Sequence, residues 1–215
     1  MSWSFSREPN RKYSAVWKDE FWPPDEWYLI TEEATENILM FWHWDNPRHS
    51  KKMAKMLTEE QVLLWAVENI VGQICNGGFH QALHNSYGEL AEEGLLGLRK
   101  FGLDPFADIV ERAWEIFGIR PIPRDRDERN ARLDALTEMD DLSAQSDPVG
   151  VQLGDVKGST RDHFYKLEDQ FYELLHAEPR SAGYDAAYYR PLAEWIYQHR
   201  DRFFMDAQVE LSKRS

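Results

Sequence analysis

Four carboxylates, Asp104, Asp108, Glu111 and Glu115, follow one another at steps of four, three and four residues. At about 100° per residue these steps predict one narrow stripe on a helix, opposite Phe106, Ala113 and Phe117. A rise of about 1.5 Å per residue spaces neighbouring acids by about 4.5 to 6 Å along the axis, loosely comparable with the phosphates along a DNA strand. Such a line can pair with the Arg and Lys side chains that otherwise meet phosphates. Like charges four residues apart cost a helix about 0.2 to 0.5 kcal/mol per pair, so the stripe is mildly unfavourable unless something uses it. Glu89, Glu92 and Glu93 join it as a second acidic group in the first turn of the preceding helix, where the helix dipole also explains them.

Other residue types suggest chemistry less strongly. His80 and His84 are four apart, as paired metal ligands are, but Gln81-Ala82-Leu83 between them lacks the Glu of a zincin motif and no third ligand is evident. Asp162 and His163 adjoin Ser159 and Thr160, yet adjacent helical residues point in different directions, so no hydrolytic triad is implied. Gly150, Gly154 and Gly158 precede Ser159-Thr160, but Lys157 comes before Gly158, which is the wrong order for a phosphate loop. Cys75 continues the apolar run of Val71 and Ile74 near a helix C-terminus, so a buried, inert thiol is expected. No catalytic residue, metal or cofactor is assigned from these patterns.

The elements that position these residues are helical. Thr31 is expected to cap a first helix carrying Glu32 and Glu33 and stopping before Pro47. Thr58 and Gln61 form a capping-box pattern ahead of Leu63, Val67, Ile70 and Ile74, and Asn76-Gly77-Gly78 ends that helix. Glu89 to Phe101 reads as a helix with Gly102 as a left-handed cap. Asp104 as N-cap, Pro105 at the first position and Gly118 at the end delimit the next helix, which turns Phe106, Ile109, Val110, Ala113 and Phe117 inward. Arg124 to Thr137 is a charged helix that buries Leu133 and Leu136. Residues 138–159 are polar with Gly and Pro, and are expected as a long surface excursion with a short strand over Val149, Val151 and Leu153. Helical period resumes with Phe164, Leu167, Phe171 and Leu175, and again with Leu192, Trp195, Ile196 and Phe203. The fold class is therefore all-α: an aromatic, acidic arm and first helix over 1–50, and a compact multi-helix domain over 51–215.

Composition narrows the function. Against 25 Lys and Arg stand 38 Asp and Glu, a formal charge of -13 over 215 residues, which opposes direct binding to nucleic acid or to an anionic membrane. A basic partner suits this field. The 29 aromatic residues exclude a disordered composition, and a single cysteine excludes a disulfide framework within one chain. Six of the nine tryptophans lie in the first 44 residues, and Trp17, Phe21, Trp22, Trp27 and Tyr28 are expected to bury their rings as an arm against the helical body. Met1 to Asn10 is polar, and no run approaches the roughly 18 apolar residues of a membrane span, so a cytoplasmic protein without signal or anchor is expected.

The run Asn76-Gly77-Gly78-Phe79-His80-Gln81-Ala82-Leu83-His84-Asn85-Ser86-Tyr87-Gly88, followed by Leu95-Leu96-Gly97-Leu98, resembles the signature of the bacterial family known as domain of unknown function 4375, whose best-understood members are of the DNA-mimic protein 19 kind. The likeness runs from about Leu57 to Phe117 and resumes faintly at Leu167-Glu168-Asp169-Gln170-Phe171-Tyr172 and from Trp195 to Phe204. It implies an all-helical fold, no established catalytic activity and, for the DNA-mimic kind of member, an acidic surface that occupies the DNA-binding face of a transcriptional regulator. The residues give the signature a physical reading of their own: two glycines let the chain enter positive φ and turn sharply, which throws Phe79 back onto the core.

These observations lead to a non-catalytic acidic binding protein whose partner is a basic DNA-binding regulator, with Asp104, Asp108, Glu111 and Glu115 as the first contacts and Glu89, Glu92 and Glu93 as the second. An immunity or antitoxin-like protein neutralising a basic toxin, and a metal-dependent enzyme using His80 and His84, stand as alternatives. A homodimer is compatible with all three.

Overall fold

The computed structural model describes residues 4–10, 14–18, 27–39, 42, 47–145, 159–177 and 186–205. Eight α-helices occur among them: α1 Trp27–Leu39, α2 Pro47–Ala54, α3 Glu59–His84, α4 Ala91–Lys100, α5 Asp104–Phe117, α6 Arg126–Gln145, α7 Thr160–Leu175 and α8 Ala186–Gln198. The fold is all-α. Two isolated bridges, Ser6 with Thr58 and Val16 with Met205, are the β-type pairings among the described residues.

Helix α3 is the axis of the molecule. The Thr58 hydroxyl accepts from the Gln61 amide while the Gln61 side chain accepts from the Thr58 amide, which satisfies two otherwise orphaned donors at the helix start. Its first half is buried all round, from Glu60 through Val67: α4 packs on Leu63 and Val67, the smaller cluster with α2 takes Val62, Trp65 and Ala66, and Gln61 donates to the Phe203 carbonyl. Gly97 of α4 lets that helix approach closely: a Cβ there would meet Val67 Cγ2 at 2.6 Å and the Leu63 carbonyl oxygen at 2.9 Å. Helix α5 folds back on α4 and rests on α7, α6 lies against α7, and α8 pairs with α1. One core runs through all of these, centred on Phe79, Trp114, Phe117 and Phe171, and a smaller one joins Ile38, Trp42 and Trp65 to α2.

The N-terminal segment lies along this body. Ser6 donates its amide to the Leu57 carbonyl at 2.7 Å, Trp17 donates to the Met205 carbonyl at 2.9 Å, and the Trp17 ring packs on Phe204 at 5.2 Å between centroids. Phe21 and Trp22 lie outside the described residues.

Several expected boundaries move. Helix α1 begins at Trp27, so Thr31 sits inside it, fully buried, with its hydroxyl donating to the Tyr28 carbonyl at 2.6 Å. Ile30 in the core and Trp27 packed against it draw the extra turn into the helix. Pro47, taken as a stop, is also the first residue of α2, a position where its missing N–H costs nothing. Asp104 is the first residue of α5 and not its cap. Leu103 holds the cap position, and the Asp104 side chain makes no capping bond. The excursion expected over 138–159 is corrected in its first part, where α6 runs on to Gln145 because residues 138–145 contain neither Gly nor Pro, and residues 146–158 lie outside the described residues. The strand expected over Val149, Val151 and Leu153 falls outside the described residues.

Candidate acidic interface

Gly102, at φ 76°, turns the chain from α4 into α5 and brings the last turn of the first helix beside the first turns of the second. Arg99, on that last turn, therefore reaches the α5 stripe. Its Nη1 lies 2.5 Å from Asp108 Oδ1 and 3.4 Å from Asp104 Oδ1, and its Nη2 donates to Glu111 Oε2 at 2.8 Å. Three of the four stripe acids thus gather around one guanidinium, whose pKa they raise, the hydrogen bond to Asp108 contributing most. One positive charge against three leaves the cluster negative. The acids stay in solvent, with side chains 63% (Asp104), 66% (Asp108) and 43% (Glu111) exposed. Glu115, the fourth, is also exposed, and Arg112 at the stripe's edge turns to Gln170 of α7 at 2.9 Å.

The second acidic group is differently placed. Glu89 is 4% exposed and lies in a short 3-10 turn, Ser86–Leu90, ahead of α4. Its carboxylate accepts from the Trp42 indole at 3.2 Å and from the Ser50 hydroxyl. Burial pushes its pKa up, against the opposing effect of those two hydrogen bonds. Glu92 accepts both forks of Arg120 at 2.9 Å and the Ile122 amide at 2.7 Å, while Glu93 pairs with Arg124. The expectation that Glu89 belongs to an exposed acidic surface is corrected: it is an internal acceptor. Glu92 and Glu93 are partly buried clamps on the segment Arg120 to Arg124, which needs their charge to hold its course over α4.

The signature corner has a clear geometry. Helical φ/ψ breaks at Gly77 and Gly78, the latter at φ 77°, and a second helical stretch then runs to His84. The Phe79 amide, a donor exposed by the break, donates to Glu168 Oε1 of α7 at 2.9 Å. A Cβ on Gly78 would stand 2.1 Å from the same oxygen, so this position needs glycine for its φ and for the carboxylate. Phe79 is fully buried among Trp114, Phe164 and Phe171. Asn76 remains exposed. Just beyond, Arg129 is completely buried and donates to the carbonyls of Leu83, Asn85, Pro123 and Arg124.

His80 and His84 stack with ring centroids 5.8 Å apart, and no group of three His, Cys, Asp or Glu able to hold a metal occurs among the described residues. Ser159 and Asp162 cap α7 reciprocally, which occupies the Asp162 carboxylate. Cys75 is exposed and not buried: it follows the inward Ile74 by one helical step of about 100°, on the side where Gly72 is exposed as well. Sequence reading missed Arg99, Glu168 and Arg129. Arg99 had a usable signal, since it stands three residues before the turn at Gly102 and five before Asp104, close enough in sequence to reach the start of the next helix.

An all-helical body with an Asn-Gly-Gly-Phe corner clamped by a Leu-Glu-Asp-Gln-Phe-Tyr helix defines the class. A family model described as DMP19-like protein matches residues 55–199, about two thirds of the chain, and the protein belongs to that family. No curated protein and no solved structure matches it. No described helix is long and apolar enough to cross a membrane.

Proposed function

We propose that this protein is a non-catalytic, cytoplasmic acidic binder, a DNA mimic that occupies the basic nucleic-acid-binding face of a transcriptional regulator. The observation that carries the reading is the row Asp104, Asp108, Glu111 and Glu115, solvent-exposed on one face of α5 with an excess of negative charge over Arg99. Membership of the DMP19-like family supports it. Arg99 sets the arrangement: by holding three carboxylates on one guanidinium it reduces their rotamer freedom before a partner arrives, so less order is lost on binding. The outward lone pairs remain for a partner's Arg and Lys. The net charge of -13 steers a basic protein toward this face and away from DNA itself, which gives fast and salt-sensitive association. Competition is the mechanism: carboxylates take the donors that phosphates would take.

The test is a low-salt capture from the native host, eluted with rising salt and identified by mass spectrometry, followed by reconstitution with the recovered protein. A DNA-binding regulator released from its DNA by the wild type, but not by the triple variant Asp104→Asn, Asp108→Asn, Glu111→Gln, is the expected result. Recovery of no basic protein, or equal competition by the triple variant, overturns the reading; recovery of a basic toxin replaces the regulator by the immunity alternative.

A further inference from the structure

A cavity of about 470 Å³ opens between the glycine corner of α3, the middle of α6 and the first two turns of α7, on residues that the acidic interface does not use. Its floor is apolar, made by Leu133, Leu136 and Phe164, and its polar lining combines His80, Arg161 and Glu168 with the hydroxyls of Thr137, Ser159, Thr160 and Tyr165. A volume of this size with a few convergent polar groups is typical of a small-molecule site.

Arg161, Glu168 and His80 each keep hydrogen-bonding capacity that no described residue uses. Arg161 donates through Nε to the Tyr165 hydroxyl at 2.9 Å and lies 5.5 Å over that ring, and its Nη groups make no hydrogen bond among the described residues. Glu168 Oε1 takes the Phe79 amide, and Oε2 has no donor among the described residues. His80 stacks on His84, and its ring nitrogens make no hydrogen bond among the described residues. Its pKa is lowered, by burial first and then by His84 and Arg161, which favours the uncharged ring with one donor and one acceptor nitrogen.

The charges are also ordered. Arg161 and Glu168 are seven residues apart on α7, so they share a face within about 20°, their Cα positions about 10 Å apart along the axis, with Phe164 between them in sequence. A dipeptide carries one negative and one positive end about 6 to 7 Å apart, a size that a cavity of about 470 Å³ with a base and an acid on one wall accommodates. We propose that this cavity binds a dipeptide-sized zwitterion with an apolar side chain, its carboxylate on Arg161, its ammonium on Glu168 and its side chain on Leu133, Leu136 and Phe164. The site is independent of partner binding through α5. It gives the corner a second use, since the Gly78 turn that admits the Glu168 carboxylate also exposes it to the ligand.

Glycyl-L-phenylalanine is the probe, titrated by calorimetry into the full-length wild type beside its N-acetyl form and its C-terminal amide. Saturable binding of the free dipeptide is expected, with affinity falling about tenfold when either end is blocked. Arg161→Gln is expected to remove the preference for a free carboxylate, and Glu168→Gln, which keeps an oxygen for the Phe79 amide, the preference for a free ammonium. Absence of saturable binding, or equal affinity for the free and both blocked forms, overturns the proposal on wild type alone, whatever the variants' stability.

Discussion

Glu89, Glu92 and Glu93 precede or open α4, and Asp104, Asp108, Glu111 and Glu115 line α5. Both groups are carboxylates on consecutive elements, with eleven residues from Glu93 to Asp104, yet folding treats them in opposite ways. The first is consumed internally: Glu89 under Trp42 and Ser50, Glu92 and Glu93 by Arg120 and Arg124. The second is gathered at the surface on Arg99 and left largely in water. What separates them is the company supplied from elsewhere in the chain. Basic residues at 120 and 124 reach back to α4, whereas Arg99, the cation that the described residues bring to the α5 row, comes from the helix before it. An acid stripe in a sequence is therefore a surface only where no later segment crosses it.

The largest effect that tests this contrast is expected at Glu89. Glu89→Ala removes a buried acceptor shared by the Trp42 indole and the Ser50 hydroxyl, at a cost of about 3 kcal/mol. Asp108→Ala, on the exposed row, is expected to cost under about 1 kcal/mol. Urea unfolding of the two variants checks both. Equal losses would erase the distinction between the groups.

A third kind of acid sharpens it. Glu68 of α3 is enclosed without a cationic partner among its described contacts: Tyr188 donates to it at 2.6 Å, and burial, offset in part by that bond and reinforced by Glu32, raises its pKa to about 7. A carboxyl whose folded pKa exceeds its unfolded value of 4.5 favours the fold fully below that value and loses the contribution as pH rises through about 7. Wild-type stability is thus expected to fall between about pH 4.5 and 8 by on the order of 2 kcal/mol more than that of Glu68→Gln. Parallel pH profiles of the two proteins would show instead that Glu68 ionises freely in the fold.

The parts of the fold that were legible in sequence are those whose cause is local. The Thr58–Gln61 box, the αL glycines at 102 and 118, and the inward face of α5 each depend on residues within one helix turn, and each was placed from spacing alone. Helix α2 carries Pro-Arg-His-Ser-Lys-Lys, with little apolar period to see, and it is helical because Met53 and Ala54 reach the smaller core. Thr31 failed as a cap because core contacts at Trp27 and Ile30 outweigh a capping preference of about 1 kcal/mol. The candidate site was half legible. Helical period placed the α5 row, but the fate of Glu89 is set by Ser50 and Trp42, 39 and 47 residues away, and no local pattern carries that. Glu168 was visible only as part of a family run, and its contact with the corner explains why the run and the corner go together.

The smallest expected effect is the one that most directly probes the row. Arg99→Gln leaves Asp104, Asp108 and Glu111 facing one another with no cation between them, yet all three side chains are in solvent, where pairs of this kind contribute about 0.2 to 1 kcal/mol. A loss of about 0.5 to 1 kcal/mol is expected at low salt, shrinking toward zero at 1 M salt, where the screening length falls to about 3 Å. Partner binding separates two roles that stability does not. If the row acts through charge alone, the variant gains a net negative charge and binds a basic partner more tightly at low salt. If Arg99 acts by holding the carboxylates in place, the variant binds more weakly in spite of its added charge. The preorganisation argued above requires the weaker binding. A tighter complex would leave Arg99 as a brake on affinity and reduce the interface to a diffuse acidic field.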